Sequence, residues 1–451
     1  MRKAQWEEIL DFIKSLYQAH DEIKNAFGQG STVIVQNMLS ECQEFARLLG
    51  EAIERTEGEG HVTVKCVEDY CEELFHIYEK IGDGQIHENK IGKSLRKALL
   101  KIENSVKNDI SIKKEVVFFP YKASMWDSLE SIYFAAKEDS DCEAYCVPIP
   151  YFDLKPDHSF GQMHYEGGEY PENVEVIDWE AYRFEERRPD EIYIHNGYDN
   201  WNLVTSVHPR FYSENLKQYT DKLVYIPYFI MGDIDPEDEK TIEAKKHFCF
   251  IPGIINADKV IVESKSVRRL YINEYLKAAK ENGLSGQHVD RKYLEKKFLG
   301  VGSPKFDKVA EMEREKPKIP KEWEKYIRKA DGQYKKIVMY NNSITSLLKN
   351  EENMLKKIEE VLNVFKAFQD EIVLWWRPHP LIQSTIQAMR PELWRQYQKI
   401  VNEYVDGKWG IYDDTADIGG AVSFTDAYYG DWSSVVYLYE RTGKPIMILD
   451  C

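Results

Sequence analysis

The sequence predicts a protein of the α/β class, with two doubly wound parallel-sheet domains preceded by an α-helical region. Three observations support this class. Residues 1–112 show helical spacing of apolar side chains, residues 113–310 alternate short apolar runs with amphipathic helices, and residues 311–451 begin the same alternation again. Strands that alternate with helices are typical of parallel sheets whose helices cross back over the sheet. Two such Rossmann-like domains predict a central cleft between them.

The N-terminal region, residues 1–112, carries apolar residues three and four apart, as in QWEEILDFIKSLYQAHDEIKNAF. Gly-containing breaks fall at 28–30, 57–61 and 82–85. We therefore predict about four helices in a hairpin bundle or stalk, whose apolar stripes serve packing and not ligand binding.

The first α/β domain is predicted over residues 113–310. Val116–Phe119 is a short apolar run of the kind found in buried parallel strands, and Ser124 is expected to cap the next helix, with Asp127 three residues later. Further predicted strands lie in EAYCVPIP, VEVI, EIYIHN, KLVYIPYF and ADKVIVES, and the last precedes the charged helix KSVRRLYINEYLKAAKEN.

The second α/β domain is predicted over residues 311–451, after a charged, Pro-containing linker and a helix. Its predicted strands are KKIVMYNNS, EIVLWW, a short strand between the helices PELWRQYQKIVNEY and ADIGGAVSF, DAYYGD and KPIMILD, with a helix between each strand and the next. The helices are long enough to cross the sheet, so a parallel sheet is expected.

Composition excludes several classes of function. The net charge of −17 over 451 residues argues against mainly electrostatic binding to nucleic acid or to an anionic bilayer. The net charge does not exclude a local basic pocket. No apolar stretch has the roughly 18 residues of a spanning helix, and the N-terminus does not read as a secretory signal. Seven irregularly placed cysteines fit a reducing compartment and no zinc site. We expect a cytoplasmic protein, with peripheral membrane contact left open.

Candidate site residues lie where predicted strands end, because ligands of parallel sheets bind outside the carboxyl ends of the strands. In DWSSVV, Asp431 ends a strand and Ser433 and Ser434 open a helix, whose first N–H groups favour an anion such as phosphate. Ser433 as an ordinary helix cap is the alternative. Asn341 and Ser343 follow the strand KIVMY and are placed to touch the same ligand.

The stretch LWWRPHPLI supplies two further candidates, Arg377 and His379. Arginine binds phosphate oxygens in a bidentate manner, and histidine hydrogen-bonds phosphate or gives it a proton. The flanking prolines stiffen the loop. The alternative is that Arg377 pairs with a surface carboxylate.

A candidate general base, His195, follows the strand EIYI. A histidine there is suited to take a proton from a hydroxyl, with Asp199 to orient it. Asp190 and Glu191 are rival partners, and His208 is a competing base. The sequence contains no dinucleotide, P-loop, zincin or nucleophile-elbow motif.

The ordered features SMWDSLES, HN, DKLVYIPYF, GSPKFDKV, RPHP, DWSSV and KPIMILD resemble those of the CDP-glycerol glycerophosphotransferases, which polymerise teichoic acid and related polymers. The resemblance covers roughly residues 115–451. It implies a GT-B architecture, with the nucleotide held by the second domain and the acceptor approaching from the first. Family members continue with further helices beyond the last strand, so the resemblance implies either a short variant or a second domain that is truncated at Cys451.

The resemblance also implies roles: His195 as base, Arg377 and His379 as catalytic and phosphate-binding residues, and Asp431, Ser433 and Ser434 beside the phosphates. Ser124, Asp127 and Asp199 are expected on the acceptor side, and Asn341 and Ser343 on the donor side. The expected reaction transfers glycerol phosphate from CDP-glycerol to a polyol-phosphate or glycan acceptor and releases CMP, with no cofactor or metal required. A GT-B glycosyltransferase using a nucleotide sugar and a non-catalytic nucleotide-binding or scaffold protein are the alternatives.

Overall fold

The computed structural model describes residues 1–82, 88–282, 290–315, 319–329, 331–415 and 418–449. The chain divides into two compact units. The first comprises Met1–Glu115 with Asp139–Glu143, and the second comprises Val116–Glu138 with Ala144–Cys451. Within the described ranges, no helix combines the length and the apolarity needed to cross a membrane.

The described residues of the first unit form four amphipathic helices. They are α1 (Lys3–Gly28), α2 (Thr32–Glu57), α3 (Val62–Gly82) and α4 (Glu88–Asn108). Buried residues recur at helical spacing, as at Ile9, Ile13 and Leu16 of α1, and form one hydrophobic core. The predicted breaks at 28–30 and 57–61 are confirmed. The predicted break at 82–85 lies mostly outside the described residues.

The four helices are followed in the chain by an α/β half that shows the predicted alternation. Its strands are β1 (Lys114–Phe119), β2 (Cys142–Cys146), β3 (Tyr151–Leu154), β4 (Phe160–His164), β5 (Glu191–Ile194), β6 (Thr205–Val207), β7 (Lys222–Tyr225), β8 (Lys259–Val262) and β9 (Phe298–Gly300). Its helices are α5 (Glu130–Glu138), α6 (Phe184–Arg187), α7 (Ser213–Leu216), α8 (Glu239–Lys245), α9 (Pro252–Asn256), α10 (Lys265–Glu281), α11 (Arg291–Lys297) and α12 (Pro304–Glu315).

Six of these strands form one sheet in the order β2-β1-β5-β7-β8-β9. Neighbours from β1 to β9 pair in parallel, so their carboxyl ends share one edge. Val117, Ile192 and Leu223 are fully buried on adjacent strands, as continuous apolar runs in parallel sheets predict.

A second, antiparallel sheet of order β4-β3-β6 was not predicted. Strand β4 is mostly exposed and lacks the apolar pattern that identifies a strand from sequence. The predicted strand at VEVI is wrong, because in that stretch Val176 makes only an isolated bridge to Cys146. The register of such short pairings depends on the loops around them, which the sequence pattern does not reveal.

The second α/β half contains a five-stranded parallel sheet of order β12-β11-β10-β13-β14. Its strands are β10 (Lys336–Asn342), β11 (Ile372–Pro378), β12 (Ile411–Tyr412), β13 (Ala427–Gly430) and β14 (Ile446–Ile448). Its helices are α13 (Lys321–Ile327), α14 (Ile344–Asn350), α15 (Glu352–Ala367), α16 (Ile382–Met389), α17 (Trp394–Gly407), α18 (Ile418–Phe424) and α19 (Ser434–Glu440).

The predicted fold class is confirmed. Two Rossmann-like halves with helix-flanked parallel sheets follow an α-helical region, and residues at the carboxyl edges of both sheets line shared cavities. This is the GT-B arrangement with a central cleft. The predicted buried strand Leu374–Trp376 lies in the middle of β11, with both tryptophans buried.

Gly253 illustrates how closely backbone segments approach beside the first sheet. Its N–H donates to the carbonyl of Gly197 (2.7 Å), and a Cβ at Gly253 would lie 2.5 Å from Gly197 Cα. Backbone atoms cannot yield as a flexible side chain would, so α9 and the loop after β5 must separate if Gly253 gains a methyl group.

We expect Gly253→Ala to lower the free energy of unfolding by about 1–3 kcal/mol, measured by urea denaturation. Gly92→Ala in α4 is the matched control, because its Cβ would meet a side chain no closer than 3.8 Å and alanine favours a helix. Equal stability of the two variants would contradict the close approach.

Candidate functional site

The structure brings together five of the predicted residues at the carboxyl edge of the second sheet: Asn341, Ser343, Arg377, Asp431 and Ser433. The Asn341 side-chain amide donates to the Arg377 carbonyl (2.8 Å), and the Ser433 hydroxyl donates to Asn341 Oδ1 (3.0 Å). The Ser343 N–H donates to Asp431 Oδ2 (2.7 Å). These bonds join the ends of β10, β11 and β13, so the loops that follow are held in fixed positions.

Ser433 caps α19, as the alternative interpretation held. Its Oγ accepts the Val435 N–H (3.3 Å) and so satisfies one of the free donors of the helix start. Ser434, the first residue of α19, lines a cavity instead. Asp431 is buried and accepts a hydrogen bond from Lys357 Nζ (2.7 Å), so its carboxylate is neutralised within this half of the chain.

Arg377 is buried and engaged with protein groups. Its Nη1 donates to Asp413 Oδ2 (2.5 Å) and its Nη2 to the Thr415 carbonyl (2.7 Å). Asp413 is fully buried and accepts a further hydrogen bond from Trp375 Nε1 (2.8 Å). The carboxylate partner of Arg377 is therefore buried and not on the surface, and it offsets much of the charge that Arg377 was expected to offer a phosphate.

His379 occupies the turn after β11, between Pro378 and Pro380. Its Nδ1 accepts the Leu381 N–H (3.0 Å), so the neutral ring carries its proton on Nε2. Burial, together with nearby Lys122 and Lys305, lowers the pKa of His379 to about 4. The ring is neutral at physiological pH and presents an N–H donor to the cavities that it lines.

His195, the expected base, is fully buried at the end of β5. The Tyr121 N–H donates to its Nε2 (3.0 Å), and its Nδ1 lies 2.8 Å from Ser128 Oγ and 3.2 Å from the Met125 carbonyl. Burial lowers the pKa of His195 to about 3. With both ring nitrogens hydrogen-bonded to the chain, His195 ties the loop after β1 to the end of β5 and has no free lone pair for a substrate proton.

The expected partner of His195, Asp199, lies elsewhere. Its Oδ2 accepts hydrogen bonds from the N–H (2.9 Å) and hydroxyl (2.6 Å) of Ser213 at the start of α7, so the expectation that it orients His195 is wrong. Burial raises the pKa of Asp199 to about 6. The competing histidine, His208, accepts the Arg210 N–H at Nδ1 and caps a short helix. Neither residue lies in the two cavities described below.

Ser124 and Asp127 also differ from their expected roles. Ser124 lies inside a 3₁₀ helix, Ala123–Ser128, that starts without a side-chain cap, so it does not cap a helix. Asp127 is buried and accepts two hydrogen bonds from Lys305 Nζ, each 2.6 Å long. Ser124 does line the cleft, beside His379.

Two adjoining cavities form the cleft. The smaller, which we call the small cavity, has a volume of about 70 Å³, enough for a few water-sized groups. It is lined by Ser124, Met125, Tyr228, Phe229, Lys305, Asn341, Arg377, Pro378, His379, Pro380, Ile418, Ser434, Val435 and Leu438. Lys305 and Arg377 are cationic and no lining residue is acidic, so this part of the cleft is suited to an anion.

The larger cavity, which we call the acidic cavity, has a volume of about 280 Å³. It is lined by Lys122, Ser124, Glu166, Glu169, Arg377, Pro378, His379, Pro380, Ile382, Gln383, Tyr412, Asp413, Asp414 and Thr415. Four carboxylates outnumber two cations among these residues. Ser124 and the Arg377–Pro380 stretch border both cavities, so a ligand in one lies next to a ligand in the other.

The carboxylates of the acidic cavity differ in their hydrogen bonds and in their exposure. Glu166 accepts hydrogen bonds from the Tyr151 hydroxyl (2.5 Å) and the Ala123 N–H (2.9 Å). Glu169, at the end of the 3₁₀ helix Gly167–Glu169, is exposed. Partial burial and the negative charges of Glu166 and Asp414 raise the pKa of the Glu169 carboxyl above its ordinary value. A carboxylate perturbed in this way is suited to exchange protons with a ligand.

Several of these residues were missed by sequence reasoning. Lys122 follows β1 and Asp413 follows β12, so the rule that strand ends carry sites would have identified both. Lys305 lies in the quoted stretch GSPKFDKV but carried no signal of its own. Among the described residues, no group of three His, Cys, Asp or Glu side chains is placed to hold a metal ion.

Comparisons with known proteins gave weak likenesses. No family model matches the chain, and no curated protein matches it. Among solved structures, UDP-GlcNAc 2-epimerase of Methanocaldococcus jannaschii in complex with UDP-GlcNAc and UDP is similar, with a TM-score of 0.43, 9% identity, and coverage of 74% of this chain and 83% of that chain. MnaA of S. aureus with UDP has a TM-score of 0.40 and 11% identity, over 75% and 79% of the two chains.

A UDP-forming trehalose-phosphate synthase of Burkholderia xenovorans has a TM-score of 0.31 and 11% identity, over 73% of this chain and 81% of that chain. These TM-scores are too low to support an inference about function.

The buried Lys305–Asp127 pair yields a prediction about stability. Lys305→Met leaves the Asp127 carboxylate buried without its partner, and we expect a loss of about 3–5 kcal/mol in the free energy of unfolding, measured in urea. The double variant Lys305→Met/Asp127→Leu should recover most of this loss. Lys336→Met, whose ion pair with Asp426 is exposed, is the control and should change little. If Lys305→Met costs no more than the control, the pair does not stabilise the cleft.

Proposed function

We propose that the protein is a GT-B transferase that moves glycerol phosphate from CDP-glycerol to a hydroxyl of a polyol-phosphate or glycan acceptor. The observation that carries this proposal is the contrast between the adjoining cavities: one offers Lys305, Arg377 and no acid, and the other is dominated by carboxylates. An anionic donor and a hydroxyl-bearing acceptor need these two environments side by side. The choice of CDP-glycerol rests on the sequence resemblance.

The donor diphosphate would occupy the small cavity. Lys305 and Arg377 would supply the part of their positive charge that Asp127 and Asp413 do not offset. Neutral His379 would donate its Nε2–H to a phosphate oxygen, and Ser434 would donate its hydroxyl. With the donor bound in this way, these groups would lie where charge develops as the bond between the two phosphates breaks, and they would stabilise the transition state without moving.

The acceptor would enter the acidic cavity by its hydroxyl end, since Glu166, Glu169 and Asp414 would repel a phosphate. The hydroxyl oxygen attacks the β-phosphorus of CDP-glycerol, its proton passes to a base, and CMP leaves. We assign the base to Glu169, because His195 has both ring nitrogens occupied by the chain. His195 is then a positioning residue.

The donor-binding part of the proposal predicts CMP release from CDP-glycerol and a glycerol-phosphate primer. His379→Asn should reduce the rate by about 100-fold, because asparagine keeps the acceptor for the Leu381 N–H and loses the Nε2–H donor. Release of CMP should be followed by chromatography. The surface variant His158→Asn is the control.

Thermal stabilisation separates the donors, since a ligand that binds the folded state raises its melting temperature. CDP-glycerol should stabilise the protein more than UDP- or GDP-sugars do. Stronger stabilisation by a nucleotide sugar would favour a glycosyltransferase, and binding of CDP-glycerol without any CMP release would favour a non-catalytic protein.

The assignment of the base predicts a pH dependence. Because Glu169 must be deprotonated to act, kcat/KM should fall as the pH drops through its raised pKa. Glu169→Gln should lower kcat/KM by about 100-fold or more and remove this acidic limb. His195→Gln should leave the limb in place, whatever its effect on the rate. A limb that disappears in His195→Gln and persists in Glu169→Gln would return the role to His195.

A further inference from the structure

A third cavity, which we call the edge pocket, lies at the edge strand of the first sheet. It has a volume of about 340 Å³, and its polar lining comes from Lys265, Arg268, Arg269, Arg291 and Glu295. None of these residues lines the small or the acidic cavity. The edge pocket is thus a separate candidate site within the same half of the chain.

The edge pocket is basic in an acidic protein. The chain has a net charge of −17, yet residues 259–300 contain ten Lys and Arg against five Asp and Glu. Arg291 Nη1 lies 3.9 Å from Glu295 Oε1. Lys265, Arg268 and Arg269 have no carboxylate partner within the described ranges. Four cations and one carboxylate line the cavity, so the cations repel each other, and an anion in the cavity would relieve that repulsion.

Three of these cations lie near the N-terminal end of α10. Lys265, Arg268 and Arg269 lie in the first two turns of this 17-residue helix, and its first turn contains no acidic residue. The helix dipole places partial positive charge at this end, so cations here are opposed by the helix itself. Acidic side chains are the ones that usually occupy the first turn of a helix. A binding site for an external anion would explain why basic side chains occupy it here.

The geometry of the edge pocket is held by the backbone. Arg268 Nε donates to the Phe298 carbonyl (2.7 Å) and Nη2 to the Glu295 carbonyl (2.9 Å), which fixes the guanidinium plane. Gly300 permits the end of β9 to approach α10, because a Cβ there would lie 2.5 Å from the Ser264 carbonyl oxygen. Lys265 and Arg269 remain exposed beside this fixed guanidinium.

We propose that the edge pocket binds a phosphate group, carried by a soluble phosphorylated ligand or by a lipid headgroup. Arginine presents parallel N–H donors that match phosphate oxygens, and several cations suit a group that carries more than one negative charge. The proposal does not depend on the transfer reaction proposed above, since it concerns a different surface and a binding step alone.

The test uses the full chain and two probes: inorganic pyrophosphate by titration calorimetry, and phosphatidylcholine vesicles with or without phosphatidylglycerol by sedimentation. Lys265→Gln/Arg269→Gln removes two exposed cations of the pocket. Lys277→Gln/Lys280→Gln removes two exposed cations from the same helix outside the pocket. Melting temperatures of both variants verify that they fold.

We expect the pocket variant to bind at least about tenfold more weakly than wild type, with the control variant unchanged. His379→Asn should keep this binding, which separates the edge pocket from the cleft. Loss of vesicle binding alone identifies a lipid headgroup, loss of pyrophosphate binding alone identifies a soluble ligand, and loss of both shows that the pocket accepts a phosphate group from either source. Equal binding by wild type and the pocket variant, or no binding of either probe by wild type at low salt, would overturn the proposal.

Discussion

The side of the cleft that the second sheet forms depends on the side-chain amide of Asn341, which holds the ends of its strands together. Asn341 pairs in register with Arg377 of β11 on one side and with Gly430 of β13 on the other. Its amide donates across to the Arg377 carbonyl and accepts from Ser433, so a single side chain fixes the ends of three strands. Gly430, at a φ of 146°, leaves room for this approach, because a Cβ there would lie 2.2 Å from the Asn341 carbonyl oxygen. These hydrogen bonds also fix the positions of His379 and Ser434, because the segments that carry them follow the same strand ends.

Each of three cations in the second α/β half and the cleft is paired with a carboxylate of the chain. Arg377 with Asp413, Lys305 with Asp127 and Lys357 with Asp431 are all buried or nearly buried pairs. Each pair costs desolvation, and each would be strongly destabilising if one partner were removed. Pairing of this kind holds the cations at the cleft in fixed positions. The anion of the proposed donor would meet hydrogen-bond donors that are already in place, which lowers the entropy lost on binding.

The strand-end residues could be predicted because parallel strands carry their carboxyl ends at one edge. Asn341, Arg377 and Asp431 were identified on this ground, and the structure places them together. The rule also covers Asp413, which follows β12, but it does not say which side chains pair. Arg377 pairs with Asp413, 36 positions later, and Lys305 pairs with Asp127 across 178 positions, so both pairings depend on tertiary packing. The antiparallel sheet was missed because β4 is too polar to show a strand pattern.

His195 and His379 show that the position of a histidine at the end of a strand does not by itself reveal its role. Both rings have a lowered pKa and are neutral at physiological pH. The difference lies in what their nitrogens contact. In His195 the chain uses both nitrogens, and the ring becomes part of the scaffold between Tyr121 and Ser128. In His379 the chain uses Nδ1 alone, which sets the tautomer and leaves the proton on Nε2 of a ring that lines both cavities. A neutral donor cannot serve as a base toward the same atom. In the transfer proposed above, proton removal therefore falls to a carboxylate, and among the residues of the acidic cavity Glu169 combines an exposed side chain with a pKa raised by its neighbours.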